Sequence, residues 1–132
     1  MKKYLSPILF SLIILCESSC KKDNAQTTPL SSRTITFILY TEKDFSADEH
    51  NITFSLLIKN HLTTLFDSSL STIKIKDIPA PVNKLIIEKK IPDDGSAWIV
   101  GFQYNIENVG YSWYLDSCAV GQSSKTVEFA FQ

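Results

Sequence analysis

The chain has 132 residues, with 13 basic and 14 acidic side chains, 44% hydrophobic and 11% aromatic residues. That length fits one domain of ordinary size. Near-neutral charge and a single arginine, Arg33, leave neither the basic stripe of a nucleic-acid binder nor the guanidinium clusters that recognise phosphate.

Residues 1–20 begin with Lys2 and Lys3, are apolar across residues 8–15, and end Ser18-Ser19-Cys20. A basic start, a short apolar run and small residues before a break mark a secretory signal peptide. The run is too short to cross a bilayer, which takes about 20 apolar residues. No Ala-x-Ala triplet follows it. Ser18-Ser19-Cys20 instead resembles the lipobox of Gram-negative bacterial lipoproteins, in which a small residue precedes the lipidated cysteine. Glu17 stands where that family carries Leu or another apolar residue, and Cys20-Lys21-Lys22-Asp23 is similar to the start of many envelope lipoproteins. The resemblance implies cleavage after residue 19 and a diacylated Cys20 as the first mature residue. It also implies anchoring in the cell envelope, by expectation at the outer membrane. Two acyl chains on one residue meet the two-signal requirement for stable attachment. The alternative is a secreted protein cut by the general signal peptidase.

Loss of residues 1–19 leaves 113 of the 132 residues, with 11 basic and 13 acidic side chains. Of the three cysteines (Cys16, Cys20 and Cys118), cleavage removes one and lipid occupies the second. Cys118 is then expected to be a small buried hydrophobe. Residues 20–32 are polar and read as a flexible tether with an r.m.s. reach of roughly 20 Å.

The folded domain is expected over residues 33–132. Residues 34–40 alternate, with Ile35, Phe37 and Leu39 on one face, as a strand does. Residues 42–50 form an acidic loop. A second strand over 52–59 turns Ile52, Phe54, Leu56 and Ile58 inward. Asn60-His61 is a turn, 63–67 a weaker strand, and 72–76 a strand with Ile73 and Ile75 on its buried face. Asp77-Ile78-Pro79-Ala80-Pro81 is a proline-punctuated crossover that cannot be a central strand. Residues 84–90 make the next strand, with Leu85 and Ile87 on one face. Pro92-Asp93-Asp94-Gly95 is the strongest turn signal. Residues 98–106 are a long strand, with Trp98, Val100, Phe102, Tyr104 and Ile106 on one side. Gly101 within it marks a bulge or a close backbone approach. Asn108-Val109-Gly110 connects to a strand over 111–120. Residues 121–124 turn, and Val127, Phe129 and Phe131 face inward on the last strand.

No 3.6-residue period persists after Cys20. Seven to eight short strands with regular turn signals predict an all-β, antiparallel sandwich. Its order is either the immunoglobulin-like or the transthyretin-like Greek key.

Three sets of residues carry candidate chemistry. Tyr104, Tyr111, Trp113 and Tyr114 cluster about the 108–110 connection. Alternation puts Tyr111, Trp113 and Leu115 on one face, and Tyr114 with Cys118 on the other. If Tyr111 and Trp113 point outward they make a platform that stacks on a sugar ring or anchors a protein partner. The competing reading makes Trp113 the core tryptophan of the sandwich. Asp44, Asp48 and Glu49 in one loop, with Asp93 and Asp94 in another, are the oxygen donors a calcium ion uses. Their spacing matches no EF-hand, and the simpler reading is solvated turns. Catalysis has the least support. His50 and His61 are the only histidines, and no nucleophile–base set or phosphate loop is present. No cofactor motif occurs.

These features favour a non-enzymatic envelope lipoprotein that docks a protein partner. A carbohydrate-binding module and a structural spacer are the alternatives. A docking face requires a contiguous apolar patch of several hundred Å². A sugar site requires one or two exposed rings flanked by Asp, Asn or Gln. If Cys20 carries the anchor, Cys20→Ser moves the protein from the membrane fraction to the soluble fraction. Unchanged fractionation contradicts the anchor.

Overall fold

The structure, a computed structural model, describes residues 31–132, the side chains of residues 65–67 excepted. The expected signal peptide, Cys20 and nearly all of the tether lie outside the described residues. Eight strands follow: β1 (Ser32–Thr41), β2 (Asn51–Lys59), β3 (Thr64–Ser69), β4 (Ile73–Lys74), β5 (Leu85–Pro92), β6 (Trp98–Ile106), β7 (Gly110–Cys118) and β8 (Ser124–Phe131). They form two sheets. The smaller has the order β5-β1-β8, and the larger β3-β2-β6-β7, with β4 continuing the β3 edge along β2.

The protein is thus an all-β sandwich, and every ladder but one is antiparallel. The exception is β1 with β8, which run parallel over Thr34↔Ser124 to Thr41↔Phe131. Both strands are buried on the inner face alone, so their side-chain alternation is the same for either direction of pairing. The immunoglobulin order places the first two strands side by side. Here β1 and β2 lie in opposite sheets, so the strand order is not the immunoglobulin one.

Period-two burial builds the core. Ile35, Phe37 and Leu39 of β1 and Val127, Phe129 and Phe131 of β8 face Ile52, Phe54, Leu56 and Ile58 of β2. Trp98, Val100 and Phe102 of β6 join them. Edge-to-face ring pairs cross the layer, with Phe37–Phe102 at 5.5 Å and Phe54–Phe131 at 6.0 Å between centroids. Such pairs add about 0.5–1.5 kcal/mol beyond the area they bury.

Residues 72–76 depart from the expected strand. Only Ile73 and Lys74 pair with β2, and a 3₁₀ turn over Ile75–Asp77 follows. The amides of Ile75 and Lys76 donate to the carbonyls of His50 and Asp48 in the acidic loop, and the turn tucks Ile75 into the core. On β5, Leu85 is exposed and Ile87 half-buried, and Ile91 is the residue that enters the core. The strand lies at the sheet margin.

Arg33 occupies an inward position of β1, in phase with Ile35 and Phe37, and is fully buried. Its Nε and Nη2 donate to Asp93 Oδ1 at 2.8 and 2.5 Å, and its Nη1 donates to the Ala119 carbonyl at 3.2 Å. One side chain thereby ties β1 to the turns after β5 and β7. The hydrogen bond to Asp93 raises the arginine pKa further. In return, Arg33 and then the Gly95 amide hold the Asp93 carboxyl below its usual range.

A depressed carboxylate pKa stabilises the fold above the unfolded value of about 3.9, and the contribution is lost as pH falls through the lower folded value. Asp93→Asn keeps the shape and one acceptor but leaves Arg33 buried without its counter-charge. At neutral pH the variant is expected to melt several degrees below the parent, with the gap closing below about pH 4. Melting curves across pH check this. A gap that stays constant into acid contradicts the charge pairing.

Candidate functional site

The outward face of the larger sheet carries the surface of interest. The β6–β7 hairpin is closed at residues 107–109, with Asn108 at φ 62° and Gly110 at φ 118°, the left-handed region that Asn and Gly tolerate best. The resulting register sets Tyr111 opposite Asn105 and Trp113 opposite Gln103. Across β6, Asn105 faces Thr53 and Gln103 faces Ser55 of β2. The hydroxyls continue outward: Thr53 Oγ1 lies 2.7 Å from Thr72 Oγ1, and Ser55 Oγ 3.0 Å from Ser69 Oγ.

Two rows therefore run across the strands, each reading aromatic ring, amide, hydroxyl, hydroxyl. They sit two residues apart along β7, about 7 Å, and each spans about 14 Å of sheet. A depression of about 260 Å³ lies on the Tyr111 side of them, lined by Thr53, Ser55, Ser69, Gln103, Tyr104, Asn105 and Tyr111, with no carboxylate or ammonium in its wall; Trp113 stands outside it. Tyr111 is 65% and Trp113 57% exposed. Among the described residues, the side-chain amides of Gln103 and Asn105 have no protein partner. Each hydroxyl pair shares one proton internally and keeps the other free to donate.

The four aromatic candidates divide. Tyr111 and Trp113 form the outer platform. Tyr104 and Tyr114 point to the inner side and pack on Phe129, at 5.6 and 4.7 Å between centroids. There they close the seam between β7 and β8. The reading of Trp113 as the core tryptophan is corrected: Trp98, 2% exposed and opposite the buried Cys118, holds that place. Residues 111–115 are apolar on both phases except Ser112, so alternation alone gives no direction there. Trp113 also borders a depression at the β7–β8 seam beside Tyr114 and Phe129. Gln103, Asn105, Thr53, Ser55 and Ser69 carry no sequence signal beyond outward phase. Only strand register brings them together.

The two acidic sets are not brought together. The loop with Asp44, Asp48 and Glu49 follows the far end of β1, and Asp93 and Asp94 lie beside its start. Ten strand residues, about 30 Å, separate those ends. Each carboxylate has local work. Asp44 accepts from the Ser46 amide, Asp94 from the Ser96 amide, and Asp48 from the His50 amide while also meeting its ring Nδ1 at 2.8 Å. Glu49 bridges Lys74 and Lys76, which bring its pKa down to about 2. Among the described residues no group of three or more His, Cys, Asp or Glu is placed to hold a metal ion. His61 is exposed in the β2–β3 turn, and Cys118 is buried and free.

No protein-family model matches the chain, and comparison with curated proteins and with solved structures returns no match. The class that fold and site define is an all-β sandwich with a ring-and-amide surface on its larger sheet.

The two tryptophans give opposite expectations. Trp98→Ala is expected to cost about 3–5 kcal/mol, and Trp113→Ala to stay within about 0.5 kcal/mol of the parent. Urea denaturation of both checks the assignment. Equal losses would return Trp113 to the core.

Proposed function

We propose that this chain is a non-enzymatic carbohydrate-binding module, carried at a membrane by lipid on Cys20. The supporting observation is the double alignment of an exposed ring with an unpartnered amide, Tyr111 with Asn105 and Trp113 with Gln103. A sugar ring presents a flat C–H face with hydroxyls at its rim, and each hydroxyl both donates and accepts. The aromatic face takes the C–H face, as weak C–H contacts and apolar burial favour. The amide, with two donors and an acceptor in one plane, meets adjacent rim hydroxyls. This combination meets the requirement that the sequence set for a sugar site.

A second reading, docking of an envelope protein, has Ile99 and Leu115 in its favour, 41% and 47% exposed on the same face. Gly101 contributes no side chain on the face between β7 and Leu57, and the rows beside it are polar. The exposed apolar patch is therefore limited to Tyr111, Trp113 and Leu115 of β7 with Ile99 of β6, and we rank docking second.

The test is a glycan screen with purified full-length protein, in a detergent without a sugar head group, beside Trp113→Ala. Retention of at least one glycan by the parent and its loss in the stably folded variant is expected. No retained glycan, or equal retention by the variant, overturns the proposal. Capture of one stoichiometric envelope protein that Trp113→Ala abolishes would install the docking reading instead.

A further inference from the structure

We infer that the ligand is an uncharged chain of sugars that occupies two subsites along β7, one unit over Tyr111 and the next over Trp113. This rests on the carbohydrate reading of the face and goes on to specify the charge, the length and the direction of what binds.

The direction follows from where the rings stand. Both platform rings belong to one strand, two residues apart and about 7 Å along it. A ligand lying across the strands meets one ring and then only amide and hydroxyls. A ligand lying along β7 meets both rings, each with its own amide in register. The repeat of one chemistry at two successive positions calls for a ligand whose own chemistry repeats.

The length follows from what ends the repeat. The next outward position of β6 toward its start is Gly101, paired with Leu115. Neither offers a hydrogen-bonding side chain or an aromatic face, so no third ring-and-amide unit exists on that side. At the other end the turn over residues 107–109 closes the hairpin directly beyond Tyr111. Two units fill the site.

The charge follows from the wall. Neither the depression beside Tyr111 nor the one that Trp113 borders has a cationic side chain in its wall. The charged groups beside the Tyr111 row are the carboxylate of Glu107, held at the rim by Asn51 Nδ2 at 2.7 Å, and the ammonium of Lys74, which stands opposite Asn51 and is already paired with Glu49. An acidic sugar would lose its hydration here beside one carboxylate, and would have to compete with Glu49 for the Lys74 ammonium. A neutral sugar loses nothing of that kind.

Titration calorimetry on the full-length protein tests all three parts. The probes are the monomer to tetramer series of glucose, mannose, xylose and galactose, and the same series of galacturonate. For whichever neutral series binds, the dimer is expected to bind about tenfold or more tighter than the monomer. Trimer and tetramer should add little. Tyr111→Ala and Trp113→Ala should each return the dimer to near monomer affinity. The galacturonate series should bind more weakly, and raised salt should leave neutral binding unchanged.

Monomer and dimer binding alike, affinity climbing through the tetramer, indifference to Tyr111→Ala while Trp113 is still required, or preference for galacturonate each overturns the two-site inference while leaving a carbohydrate module in place. Absence of binding by every series and by the wider screen removes the carbohydrate reading, and this inference with it.

Discussion

The close approach of two backbones at Gly101 sets the geometry on which the outer face depends. A Cβ at this position would collide with the carbonyl oxygen of Tyr114 and come within 2.9 Å of Leu115 Cα. With only hydrogen there, β7 settles against β6 in one register. That register decides which ring meets which amide. A slip of one residue would send Tyr111 and Trp113 to the inner side and bring Ser112 and Tyr114 out, because side chains alternate at every step. The glycine is a spacing device whose effect is read two and four residues away, at Gln103 and Asn105.

The scaffold beneath this face is fixed at both ends and through the middle. At one end Arg33 gathers Asp93 and the Ala119 carbonyl. At the other, Thr41 Oγ1 donates to the Phe131 carbonyl at 2.8 Å and accepts from the Lys43 amide. Between them the phenylalanines interlock. A surface built on strands of such a sandwich holds its side chains more tightly than one built on loops. A flat ligand that must meet two rings and two amides at once requires that rigidity, since a preformed surface has little ordering entropy to lose on binding.

Much of this was legible in the sequence. Alternation located β1, β2, β6 and β8 and their inward residues, because each buries one face only. Gly101 read as either a bulge or a close approach, and it is the close approach, with the ladders in register on both sides. What escaped depends on partners rather than on phase. Arg33 sits in perfect phase with Ile35, yet a charged residue at an inward position gives no sign of its counter-ion until Asp93 arrives from 60 residues away. Residues 72–76 alternate as well as any strand, but the amides of Ile75 and Lys76 turn to the acidic loop. Trp113 was ambiguous because its neighbours are apolar on both phases. Gln103 and Asn105 looked like ordinary solvated strand positions. Their placement beside the rings belongs to pairing, which composition does not encode.

The central claim is that the aligned rings and amides act together as one binding surface. Side-chain NMR of the full-length protein during titration with the glycan selected by screening addresses it most directly. The account expects the Gln103 and Asn105 NH₂ signals and the Trp113 indole N–H to shift together, along one saturating curve, while the buried Trp98 indole stays in place. Shifts confined to the acidic loop, to the β7–β8 seam or to Trp98, with the two amides unmoved, would contradict it.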